Sequence, residues 1–230
     1  MKIEKKSTIV KKIGVQMRNS SPFVECMCLF VFLGGIILIL FTKASIHIFI
    51  NHFHSPFFDV FFTQATFLGD GISAAILVVL LLFVRFRYAM MMALSNITCS
   101  VLVQLLKRFF FTESVRPYEF FKGIQNLYLI SGVEVYSFHS FPSGHSATTF
   151  TTCALLCLMT KRRLLRLLLF ALALLVAFSR VYLSQHYFAD IYAGAIMGVV
   201  AAFCTAAFFD KEIRTPAWFN KLPAAIQKKK

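Results

Sequence analysis

The sequence predicts an all-α integral membrane protein, a six-helix bundle carrying a small loop region at its outer, periplasmic surface. Three observations lead there. Hydrophobic residues make up 58% of the 230 and the mean hydropathy is +0.73, above the range of ordinary soluble domains. Several apolar runs approach the roughly 20 residues that cross a hydrocarbon core. The lysines and arginines gather in alternate connections between those runs.

Taken in order, residues 1–20 read as a basic, mobile cytoplasmic tail, and the first span covers 23–42. A signal peptide is the competing reading of this start, but the apolar run is too long for one and lacks a small-x-small cleavage site. Residues 43–70 form an outer loop in which "SPFFDVFFTQATFLGDG" has near-helical spacing and suits a helix lying in the interface. His47, His52 and His54 fall in or near this loop and read as interfacial polar residues rather than a metal cluster. The second span, 71–84, and the fifth, 164–179, are short, and the stems of Arg85, Arg87 and Arg166 are long enough to snorkel at their ends. Spans three, four and six cover 88–106, 144–160 and 190–209, and residues 211–230 form a second basic cytoplasmic tail. The membrane domain thus occupies 21–210.

With both termini inside, all but six of the 24 lysines and arginines lie on the cytoplasmic side. Topology therefore accounts for most of the net charge of +14, and no nucleic-acid partner is needed. Cys26, Cys28, Cys99, Cys153, Cys157 and Cys204 all fall within spans, without the paired spacing of a zinc site or a disulfide framework, and read as small apolar filler.

The six outer cations are Lys43, Lys107, Arg108, Arg116, Lys122 and Arg180, five of them in the loops after spans three and five. There they meet polar residues from two other stretches. Pro142, Ser143, Gly144 and His145 open span four, while His186 and Asp190 open span six. A phosphoryl group needs several positive charges, and Lys107, Arg116 and Arg180 supply them. Pro142 suits a first helical turn, so the amides of Ser143, Gly144 and His145 are expected to point outward with the positive end of the helix dipole behind them. Gly144 lets an anion approach the backbone. His186 and Asp190 are four apart, so on a helix the carboxylate accepts the imidazole N–H and frees the other nitrogen to attack phosphorus. His145 then protonates the departing oxygen and later activates water, with no metal or other cofactor required.

These residues resemble the signature of the type 2 phosphatidic acid phosphatase superfamily, which includes the vanadium haloperoxidases. Two of its three motifs stand intact, "PSGH" at Pro142–His145 and "SRVYLSQHYFAD" at Ser179–Asp190. The first appears as "KRFFFTESVRP", with eight residues between Lys107 and Arg116 where the family has six, so either Arg108 takes the lysine's role or a bulge absorbs the difference. The resemblance runs from about residue 59 to 209 and implies a six-helix fold and metal-independent hydrolysis of a phosphomonoester or diphosphate. It implies His186 as nucleophile, Asp190 as its partner, His145 as acid, and Lys107, Arg116, Ser143, Gly144 and Arg180 as phosphate ligands. In bacterial members it also implies a site on the outer face of the inner membrane. Lipid A phosphate, phosphatidylglycerol phosphate and undecaprenyl diphosphate are the candidate substrates. A non-enzymatic transporter or binding protein for phosphate headgroups is the alternative. It explains the cations but leaves His145 and the His186–Asp190 pair without a role. An intramembrane serine protease fits less well, because Ser143 precedes Gly-His at a span entrance.

Overall fold

The computed structural model describes residues 9–209, which contain ten α-helices and, among the described residues, no β-strand. Where a mobile tail is expected, residues 9–19 form α1 (Ile9–Asn19), packed against the last of the described helices with Lys12 buried. Ile9, Val10, Val15 and Met17 of α1 remain exposed, as suits an amphipathic helix at a membrane surface. Residues 1–8 and the C-terminal tail lie outside the described residues.

The first span is α2 (Phe23–Leu40). The outer segment that follows holds two helices, each started by a side-chain cap. Thr42 accepts from the Ser45 amide to begin α3 (Lys43–Asn51), and Ser55, with Pro56 in the first turn, begins α4 (Pro56–Ala65). α4 continues through a 3₁₀ turn (Thr66–Gly69) towards α5 (Gly71–Leu82), and the two segments meet at a 55° bend. The segment expected to lie in the interface is thus the first limb of a broken helix pair whose second limb is the short second span. α6 (Phe86–Leu105) runs into a π turn (Leu106–Phe110), and a short α7 (Pro117–Phe121) stands in the long outer loop. α8 (Gly144–Met159), α9 (Arg163–Tyr182) and α10 (Phe188–Phe209) complete the bundle.

Among the described residues, four helices are long and apolar enough to cross a membrane, and up to five if the bent pair is one span. The remaining predicted span, α8, has 16 residues and reaches only about 24 Å at 1.5 Å per residue. It is the most enclosed helix of the six, packed between α9, α10, α5 and α6. Two of the three arginines expected to snorkel, Arg87 and Arg166, bond to helix ends. Arg87 donates to the Phe209 carbonyl at the end of α10, and Arg166 donates to the carbonyls of Thr160 and Ser21.

Small residues set the contact that builds the site. Gly194 and Gly198 of α10 face α8, and a Cβ on Gly194 would lie 2.5 Å from the Ser143 carbonyl oxygen. Ser146 donates to the Ile191 carbonyl at 2.8 Å and Thr151 to the Gly198 carbonyl at 3.1 Å, so polar side chains lock the register of the two helices. Below, Phe150 packs with Phe30 and Phe170 in an apolar core shared by α2, α8, α9 and α10.

The outer loop is tied down by polar contacts. Asp59 accepts from Tyr182, Tyr128 and His54, and Asn51 brackets the backbone of Tyr128. His47 is fully buried rather than interfacial, paired with Ser184 beside the loop that carries His186. His52 turns back to the Ile48 carbonyl, so the three histidines do not converge.

Candidate active site

The α9–α10 connection carries His186. The Arg180 carbonyl accepts from the amides of both Gln185 and His186, and Ser184 takes a left-handed backbone (φ 54°), which together turn the chain sharply inward. His186 therefore stands in a loop just before α10, not on the helix as its spacing from Asp190 suggests. Asp190 lies in the first turn of α10, where its Oδ2 accepts from the Tyr187 amide (2.9 Å), the Ser140 hydroxyl and His186 Nδ1 (3.3 Å). His186 Nδ1 is thereby assigned the proton and Nε2 the lone pair. Burial, followed by the charges of Arg116, Arg180 and Lys107, pushes the His186 pKa well below the usual imidazole range, so the ring is neutral at pH 7.

The head of α8 approaches from the other side. Ser143 is its N-cap, accepting from the Ser146 amide, and Pro142 precedes the cap in a cis peptide rather than occupying the first turn. The Ser143 amide, expected to face a ligand, donates instead to the Asp190 carbonyl at 3.0 Å. The amides of Gly144 and His145 are left as the first-turn donors.

Three cations surround this point. Lys107, Arg116 and Arg180 are only 8%, 9% and 5% exposed. Lys107 Nζ donates to the His139 carbonyl at 2.9 Å, Arg116 donates to the carbonyls of Phe138 and Gln185, and Arg180 Nη1 donates to Thr66 Oγ1 at 2.7 Å. Arg180 Nε is buried with no hydrogen-bond partner among the described residues. None of the three forms an ion pair with a carboxylate among the described residues. Carbonyls and the Thr66 hydroxyl position them without neutralising them, so the pocket concentrates three buried positive charges with no carboxylate in direct contact among the described residues, an arrangement that an entering anion relieves.

The π turn places Lys107 and Arg108 differently. Its wider winding takes up extra chain, turning Lys107 inward while Arg108 stays exposed. Sequence reasoning missed Asp70, Ser140 and Thr66. Asp70 Oδ1 lies 2.5 Å from His145 Nε2, Ser140 holds Asp190, and Thr66 holds Arg180. Their only sequence signal is position, in "TFLGDG" and at the start of "SFPSGH". Among the described residues no three His, Cys, Asp or Glu side chains group as a metal site.

The PAP2 superfamily model matches residues 84–214, more than half of the chain. The chain belongs to the PAP2 superfamily. Among proteins similar to it, the lipid A 4′-phosphatase of Bacteroides thetaiotaomicron is 30% identical over 159 residues, 66% of this chain and 69% of the relative. The crystal structure of Aquifex aeolicus LpxE aligns with a TM-score of 0.63 and 28% identity over 70% of this chain and 93% of the other. The PAP2-type phosphatidylglycerolphosphate phosphatase of Bacillus subtilis aligns with a TM-score of 0.64 over 83% of this chain and 98% of the other, and at 24% identity it speaks to the fold. Within this superfamily fold, the three motifs of the sequence meet at the C-terminal ends of α6 and α9 and the N-terminal ends of α8 and α10.

Proposed function

We propose that the protein is a metal-independent membrane phosphatase that removes a phosphate from a lipid headgroup through a phosphohistidine intermediate. The observation that carries this reading is the trio of buried cations without carboxylate partners, set around a neutral imidazole backed by a carboxylate. Lys107, Arg116, Arg180 and the free first-turn amides of Gly144 and His145 at the head of α8 hold the phosphate, with Ser143 capping that helix. His186 Nε2 attacks phosphorus as the bond to the lipid oxygen breaks, and His145 gives that oxygen its proton. Water then attacks the phosphohistidine, losing a proton to His145, and the P–N bond breaks to release orthophosphate. Asp190 fixes the His186 tautomer and stabilises the charge that builds on the ring.

A lipid substrate is favoured by an apolar groove of about 320 Å³ among α5, α8 and α9, lined in part by Leu77, Leu80, Thr149, Cys153 and Leu156. It begins one turn below His145, where an acyl chain would follow a phosphate held at the site. Of the three candidate lipids we place lipid A phosphate first, since the 30%-identical relative is a lipid A 4′-phosphatase. With both termini cytoplasmic, the site faces the periplasm across the inner membrane.

Phosphate release from lipid A, phosphatidylglycerol phosphate and undecaprenyl diphosphate in detergent tests the reading. The wild type releases phosphate and His186→Ala does not, with lipid A phosphate turned over fastest and EDTA without effect. Equal, negligible release by both proteins with headgroup binding retained would identify a carrier instead.

A further inference from the structure

Asp70 breaks a local rule. It is the N-cap residue of α5, a position where an aspartate side chain ordinarily accepts from its own helix's amides, yet it makes no capping bond. Its carboxylate reaches out of the helix pair to His145, with Oδ1 2.5 Å from Nε2, and both side chains are partly exposed in the pocket. The surrounding structure is arranged for that reach. The 55° bend falls at this residue, and the preceding Gly69 lies so close to α8 that a Cβ there would meet His145 Cβ at 3.2 Å and Thr149 Oγ1 at 3.0 Å. The same 3₁₀ turn supplies Thr66 to Arg180, so one broken helix touches both the acid and a phosphate cation.

The charges facing His145 explain what the contact does. Lys107 at the end of α6, Arg116 from the connecting loop, Arg180 of α9 and His186 before α10 all lie near enough to act on the ring. A general acid must hold a proton in that field. Asp70 is the carboxylate in contact with it.

We propose that Asp70 is the positioning carboxylate of the general acid, so that the site holds two histidine–carboxylate pairs with opposite tasks. Asp190 fixes the tautomer of the nucleophile His186, and Asp70 orients His145 as the proton donor to the leaving group. Asp70 accepts the Nε2–H, which leaves Nδ1 to give its proton to the lipid oxygen as the P–O bond breaks. The ring is then neutral, and it recovers that proton from the water that cleaves the phosphohistidine. This assignment rests on the phosphatase reading above.

The test compares an ester that needs an acid with one that does not. In detergent, kcat/KM is measured against pH for wild type, Asp70→Asn and Asp70→Glu on dioleoyl phosphatidic acid, an alkyl ester, and on p-nitrophenyl phosphate, whose phenolate leaves without a proton. Asp70→Asn is expected to lose about 100-fold on phosphatidic acid and less than about fivefold on the nitrophenyl ester. Its basic limb moves about 1–3 pH units lower, and Asp70→Glu restores most of the loss. Equal losses on the two esters with an unmoved limb would reduce Asp70 to a structural role, and no loss on either would also overturn the proposal. His186→Ala separates the underlying reading. If that variant hydrolyses both esters at the wild-type rate, the phosphohistidine reading itself fails.

Discussion

Asp190 touches the chemistry only through His186, so removing its charge should separate turnover from binding. Asp190→Asn is predicted to lower kcat by about 10³–10⁴-fold while KM stays within about threefold, because the imidazole loses its tautomer and the cationic cradle remains. A raised KM with unchanged kcat would assign Asp190 to substrate binding. Lys107 and Arg108 give a second test at this scale. Lys107→Ala is expected to reduce kcat/KM at least about 100-fold and Arg108→Ala less than about threefold, since only the former faces the pocket. The residues of the motifs were legible because phosphate chemistry restricts type and spacing together. Asp70, Ser140 and Thr66 were not, because each acts on a residue distant in sequence and carries no spacing rule of its own.

At the scale of elements, the site depends on how closely α10 approaches α8. A methyl group on Gly194 would meet the Ser143 carbonyl and the Ala147 amide, backbone atoms that cannot swing aside. Gly194→Ala is therefore predicted to destabilise the protein by about 1–3 kcal/mol and to displace the head of α8 from His186. Thermal unfolding in detergent alongside phosphate release measures both, and an unchanged Tm with full activity would show that the helices can part freely. Apolar runs made the six helical segments of the bundle readable to within a few residues. Three features escaped. The π turn at Leu106–Phe110 left only a spacing anomaly in the first motif. The α4–α5 bend lies between two segments that each look helical alone. α1 is short and basic, and it gains a packed position only where α10 covers it.

For the molecule as a whole, the charge asymmetry and the site location make one joint prediction. A membrane-impermeant thiol reagent applied to intact cells should label a cysteine placed at Gly132 in the outer loop, in a variant whose native cysteines are replaced, and should not label one placed at Lys161 in the α8–α9 turn. The reverse pattern would turn the protein over and place its chemistry on the cytoplasmic face. The cations of the sequence predict an orientation, whereas the convergence of four helix ends on one pocket needed the fold.

The central claim is that phosphate passes through His186. Rapid acid-free quenching of the enzyme during turnover of a ³²P-labelled lipid phosphate, followed by peptide mass spectrometry, tests it most directly. A phosphoryl group stable in alkali and labile in acid should appear on His186 in the wild type and be absent from His186→Ala. A phosphoryl group on another residue, or turnover by His186→Ala at the wild-type rate, would contradict the account.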